Sequence, residues 1–108
     1  INGNYKSDIS SARTFGFEKD VSELREKGFA LGGSLENAVV VGEKCILNKE
    51  GLRFKDEFVR HKILDSIGDL YLAGKPVQGY FIAKKSGHYL NNQLLRKLLS
   101  DNSNFEIL

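Results

Sequence analysis

The chain has 108 residues, 41% of them hydrophobic and 28% charged, which fits one ordinary soluble globular domain and excludes several. Sixteen basic and fourteen acidic residues leave a net charge of +2, too small an excess to argue for a nucleic-acid or membrane partner. The single cysteine, Cys45, excludes an internal disulfide or a cysteine-based zinc motif and suits a reducing cytoplasm; no apolar run reaches transmembrane length and no signal peptide is visible. The sequence opens on Ile1-Asn2-Gly3 without Met, so it is read as a piece of something longer.

A short helical turn is expected near Asp8 to Arg13, followed by the apolar segment Thr14-Phe15-Gly16-Phe17. Phe17, Val21 and Leu24 then recur at helical spacing. Glu18 and Asp20 come early, Arg25 and Lys27 late, and Gly28 is the natural stop. Beyond Gly32-Gly33-Ser34 the β-branched run Ala38 to Val41, a turn at Gly42-Glu43-Lys44 and Cys45-Ile46-Leu47 predict a small hairpin. Cys45 is expected there as a buried small hydrophobe.

The main helix should start near Asp56 and end before Gly74-Lys75-Pro76, with Val59, Ile63, Ile67 and Leu70 as its core-facing stripe. Val77 to Lys84 reads as a strand and Ser86-Gly87-His88 as a sharp turn. A last helix from about Leu90 to Leu99 should bury Leu90, Leu94, Leu95, Leu98 and Leu99. Strands and helices are interspersed, so the class is α+β.

The face of the main helix opposite the apolar stripe holds the chemistry. His61 and Asp65 are four apart, so an imidazole and a carboxylate project to one side. Both are good zinc ligands, although a zinc site needs a third protein ligand; a plain surface His/Asp hydrogen bond has the same spacing. Asp69, one turn on, could orient an imidazole or be a solvated acid. Lys62 could meet an anionic substrate group or simply face solvent. His88, beside Gly87, is placed to act as a general acid, or is an exposed loop histidine. Gly32-Gly33-Ser34 lacks the P-loop pattern and reads as a turn with a small-residue wall.

Taken together, Ala12 to Phe17, Leu31 to Leu35, Leu47-Asn48 with Glu50 to Phe54, the block DEFVRHKILDSIGDLYL from Asp56 to Leu72, and Ser86-Gly87-His88 with Leu90-Asn91-Asn92 resemble the UDP-3-O-acyl-N-acetylglucosamine deacetylases. These are zinc hydrolases of lipid A biosynthesis. The matching stretches run in family order over nearly the whole chain.

The resemblance implies that residues 1–108 are the C-terminal part of a two-domain enzyme. It implies a two-layer sheet-and-helix domain whose βαβ insert, at about 17–47, shapes a passage for the fatty-acyl chain. It places His61 and Asp65 on zinc ligands, His88 on the histidine that protonates the leaving amine, and Asp69 on the carboxylate that hydrogen-bonds that histidine. Lys62, Thr14 and Phe15 fall near the substrate's sugar and acyl linkage, and Val21, Gly33, Ala38 and Val40 face the passage. The implied partner is a UDP-linked acylated amino sugar.

The third zinc ligand and the general-base glutamate are implied to lie in an N-terminal half outside these residues. The chain alone is therefore expected to be catalytically silent, to bind zinc weakly and to leave sheet edges unpaired. The competing reading is a non-catalytic α+β module that binds an acyl chain or a protein.

Overall fold

The computed structural model describes residues 3–108. The chain divides into two compact units, residues 1–61 and 62–108, and each is described by itself.

In the first unit, helix α1 (Tyr5–Asp8) precedes strand β1 (Thr14–Phe17), helix α2 (Glu18–Glu26) and strand β2 (Ala38–Val41). The helical part of the turn expected near Asp8 to Arg13 thus lies earlier, over Tyr5–Asp8, and a hydrogen-bonded turn from the Ile9 carbonyl to the Ala12 amide at 3.0 Å follows it. Ile9, Ala12 and Arg13 are buried beyond α1, and Arg13 reaches Glu50 and Glu57. β1 and β2 are parallel, with Thr14 opposite Ala38 and Phe17 opposite Val41, so β1, α2 and β2 form a β-α-β unit. Parallel strands require such a crossover.

Gly28 ends α2 at φ +80°, a conformation that suits glycine, and the amide of Phe29 bonds the Leu24 carbonyl at 2.8 Å. Along β2, Val39 is fully buried while Ala38 and Val40 are half-buried on the other face.

The expected hairpin is minimal. A single antiparallel bridge joins Val41 to Ile46, and the amide of Gly42 bonds the Cys45 carbonyl at 2.9 Å. A Cβ on Gly42 would come within 3.0 Å of Leu47 Cδ2 and 3.1 Å of the Cys45 carbonyl oxygen, which explains the glycine. Cys45 is exposed in this turn and not buried in a strand. Asn48 replaces further strand pairing: its Oδ1 accepts from Val40 N at 2.9 Å, and its Nδ2 donates to the Leu35 and Ala38 carbonyls.

Helix α3 (Glu57–Leu70) begins in the first unit and continues through the second. A single 3-10 turn, Tyr71–Ala73, follows it and closes on Gly74 at φ +76°. Val59 and Ile63 are 54% and 38% exposed, contrary to the expected core stripe; an apolar stripe is buried only where another element packs over it.

Residues 77–84 form no strand, because a β-strand exists only through ladder hydrogen bonds and no partner strand pairs with them among the described residues. Helix α4 (His88–Leu99) buries Leu95 and Asn91, whereas Leu90, Leu94 and Leu99 are exposed. His88 is its first residue and does not precede it. In the turn before α4 the left-handed residue is Lys85 at φ +51°, while Gly87 is extended.

Candidate active site

In the first unit, the Ala12-Arg13 segment is docked on the start of α3 by buried polar contacts. Arg13 is buried and directs Nε and Nη2 to the Glu57 carboxylate at 2.9 and 3.1 Å, with Nη1 on Glu50 at 2.7 Å. Glu57 also accepts from the backbone amides of Arg13 and Arg53 at 2.9 and 2.7 Å. Burial alone would raise its carboxyl; the Arg13 side chain, the two amides and the Arg13 charge overcome that and hold it at about 2.

One turn along, His61 Nδ1 lies 3.0 Å from the Ala12 carbonyl oxygen. A carbonyl only accepts, so Nδ1 carries a proton. The neutral ring protonated at Nδ1 is the tautomer a metal bound at Nε2 requires. The His61 ring meets Phe15 edge-on at 6.4 Å, and Phe15 stacks obliquely on Phe58 at 4.6 Å.

The second unit holds the remaining polar groups. Lys62 Nζ lies 3.3 Å from Asp65 Oδ2, and His88 Nε2 lies 3.9 Å from Asp65 Oδ1. His88 Nδ1 sits 2.8 and 3.0 Å from the two oxygens of Asp69. Asn91, buried on α4, donates its amide to Asp69 Oδ2 at 2.8 Å. Burial works to raise the Asp69 carboxyl, but hydrogen bonds from Asn91 and His88, with the nearby charges of His88 and Lys62, hold it below the ordinary range. An ionised Asp69 can only accept, so His88 Nδ1–H donates to it. The imidazole itself stays open, its side chain 70% exposed against 17% for Asp69.

The structure thus brings Lys62, Asp65, Asp69 and His88 together in the second unit, and His61 with Phe15 in the first. Thr14 is exposed at the start of β1, directly opposite Ala38 in the sheet register. Ala38 and Val40 share one face of β2, Val21 is half-buried in α2, and Gly33 follows a turn. A Cβ on Gly33 would lie 3.3 Å from the Ala30 carbonyl oxygen.

Sequence reasoning missed the roles of Arg13, Glu57 and Asn91. Asn91 left a signal, since it stands three residues after His88 and shares its helix face. The Arg13–Glu57 pair spans 44 residues and left none.

His61 offers a nitrogen donor and Asp65 an oxygen donor, both suited to zinc. Among the described residues no group of three or more His, Cys, Asp or Glu side chains is arranged to hold a metal. Among the described residues no helix is long and apolar enough to cross a membrane.

Residues 1–100 match the family model described as UDP-3-O-acyl N-acetylglycosamine deacetylase. The chain is 61% identical over 105 residues to the UDP-3-O-acyl-N-acetylglucosamine deacetylases of Psychrobacter arcticus and Psychrobacter cryohalolentis. To the Myxococcus xanthus protein of the same name it is 59% identical over 105 residues. Each match covers 97% of this chain and 33% of the relative, so the chain spans about one third of the length of the curated relatives it matches.

Proposed function

The chain belongs to the UDP-3-O-acyl-N-acetylglucosamine deacetylase family, and from that premise we propose that it carries part of the active centre of a zinc-dependent amide hydrolase. The substrate is UDP-3-O-acyl-N-acetylglucosamine, and the reaction, a step of lipid A biosynthesis in the cytoplasm, releases acetate and the free amine. His61 and Asp65 supply two of the zinc ligands; the third ligand and the general base come from the rest of the enzyme. The observation that most supports this reading is the His88–Asp69 hydrogen bond at 2.8 Å, with His88 Nε2 turned to within 3.9 Å of Asp65.

When bound, zinc supplies Lewis acidity toward the acetamide carbonyl and lowers the pKa of water to about 7. The chain's own residues do the rest. The Ala12 carbonyl fixes the His61 ring so that Nε2 is the ligating nitrogen. Asp69 accepts the Nδ1 proton of His88, fixes the ring plane and leaves Nε2 to hold the catalytic proton. As the amide C–N bond breaks, Nε2 delivers that proton to the departing nitrogen. Lys62 offers a cation to an anionic part of the substrate, and Thr14 and Phe15 lie beside the sugar and its acyl linkage.

The β-α-β unit forms the wall of the acyl passage, with Val21, Gly33, Ala38 and Val40 toward the chain. Each methylene buried there contributes about 0.8 kcal/mol.

The deciding experiment places these 108 residues in a full-length family enzyme and measures zinc content and turnover for His61→Ala and Asp65→Ala. Loss of both supports the deacetylase. Unchanged zinc with altered acyl-chain binding would replace it with the non-catalytic module.

A further inference from the structure

The peptide unit that joins Ala12 to Arg13 is held at both ends by helix α3. Its N–H donates to Glu57 Oε1 at 2.9 Å, and its carbonyl oxygen accepts from His61 Nδ1 at 3.0 Å. Glu57 and His61 stand one turn apart on the same helix face. Glu57 is fully buried and takes further donors from Arg13 Nε, Arg13 Nη2 and the Arg53 amide.

Neutralising Arg13 would need only the guanidinium contacts. The bond from the Arg13 amide adds something different: it sets a carboxylate at the positive end of a peptide dipole whose negative end is the acceptor for His61. Hydrogen bonds in series polarise one another. An N–H pulled toward a carboxylate makes its own carbonyl a stronger acceptor. Arg13 offsets the net charge of Glu57, so the effect is short-ranged and travels through these two bonds.

We propose that Glu57 is a positioning residue for His61, acting through the Ala12–Arg13 peptide to hold the imidazole as its Nδ1–H tautomer with Nε2 prepared to ligate a divalent metal. Metal-bound histidines commonly donate their other N–H to a carboxylate or a carbonyl; here the carboxylate stands one peptide behind the carbonyl. The proposal deepens the deacetylase reading and rests on His61 being a metal ligand.

The test uses a full-length family enzyme carrying these 108 residues in place of its own. Ring-nitrogen NMR shifts of His61 in the metal-free protein report the tautomer, and chelator competition reports the affinity for Zn²⁺. The wild type should show Nδ1–H. Glu57→Gln should mix the tautomers and weaken zinc binding about tenfold, a loss typical of residues behind a metal ligand. A folded Glu57→Gln protein with wild-type tautomer and zinc affinity overturns the proposal.

A measurement on the wild type stands even if that variant does not fold. Coupling is reciprocal, so zinc loading should strengthen both hydrogen bonds and move the Arg13 amide proton downfield; an unmoved Arg13 amide overturns the proposal. His61→Ala with unchanged zinc affinity would instead remove the parent reading, and this one with it.

Discussion

His88 and Asp69 stand nineteen residues apart in the chain, yet the His88 Nδ1 lies 2.8 and 3.0 Å from the two oxygens of the Asp69 carboxylate. The carboxylate is largely buried and the imidazole largely open, so the carboxylate is held in place while the ring faces outward. His88→Ala should lower kcat by roughly 10²- to 10⁴-fold, the usual worth of a general acid. Asp69→Asn should fall in the same range, because an amide no longer enforces the Nδ1–H tautomer. Zinc content should be unchanged in both. Steady-state kinetics with metal analysis checks this, and loss of zinc from either variant would count against the assignment.

His61→Ala and Asp65→Ala should differ from these in their zinc content. Each removes one donor from a site that normally has three protein ligands, so each should lower both zinc content and turnover. Lys62→Met is the control. Its ammonium lies 3.3 Å from Asp65 Oδ2, but it cannot ligate, so zinc should remain while KM rises. Metal content of dialysed protein separates the three.

Gly33 stands where an added Cβ would already lie 3.3 Å from the Ala30 carbonyl. If this residue walls the acyl passage, Gly33→Leu should shift preference toward shorter acyl chains. Each methylene excluded should cost about 0.8 kcal/mol, or about fourfold in kcat/KM. Competing substrates of graded chain length measure it; an unchanged ranking would detach Gly33 from the passage.

The elements with strong local signals were legible. α2 has its acids early, its base late and Gly28 at its end, and α3 runs over the expected stretch. The facing of His88 on Asp69 was not written in spacing, since it depends on α3 and α4 meeting in space; the family resemblance supplied it. The strand expected at residues 77–84 failed for the complementary reason. Tyr80, Phe81 and Ile82 favour a strand, but propensity gives no hydrogen-bond partner. The leucines of α4 likewise announce an apolar stripe without saying what covers it. Arg13 and Glu57, 44 residues apart, left no periodic trace at all.

The 108 residues alone should show no deacetylase turnover, because among the described residues no three His, Cys, Asp or Glu side chains are grouped so as to hold a metal ion. Zinc should bind far more weakly than to a full-length relative. With Tyr80, Ile82 and Leu72 exposed, the isolated chain should also self-associate at high concentration. Size-exclusion chromatography and an assay with added zinc check both; full turnover by the chain alone would show that it contains a complete site.

Glu57 makes the first unit sensitive to acid. Its carboxyl is held at about 2 against an ordinary 4.5, since the donors from Arg13 and Arg53 outweigh the burial that would raise it. A carboxyl depressed on folding binds its proton more readily in the unfolded chain. Its stabilisation is therefore complete above about pH 4.5 and is lost progressively as the pH falls toward about 2. The size of the shift corresponds to roughly 3 kcal/mol. Unfolding midpoints in a full-length relative carrying these residues should accordingly be flat near neutrality and fall steeply below about pH 4.5. Glu57→Gln should remove this part of the acid dependence and cost about 3–5 kcal/mol at neutral pH, because Arg13 is left buried without its anion. A variant as stable as the wild type at pH 7 would show that the Arg13 guanidinium finds another partner when Glu57 is neutral.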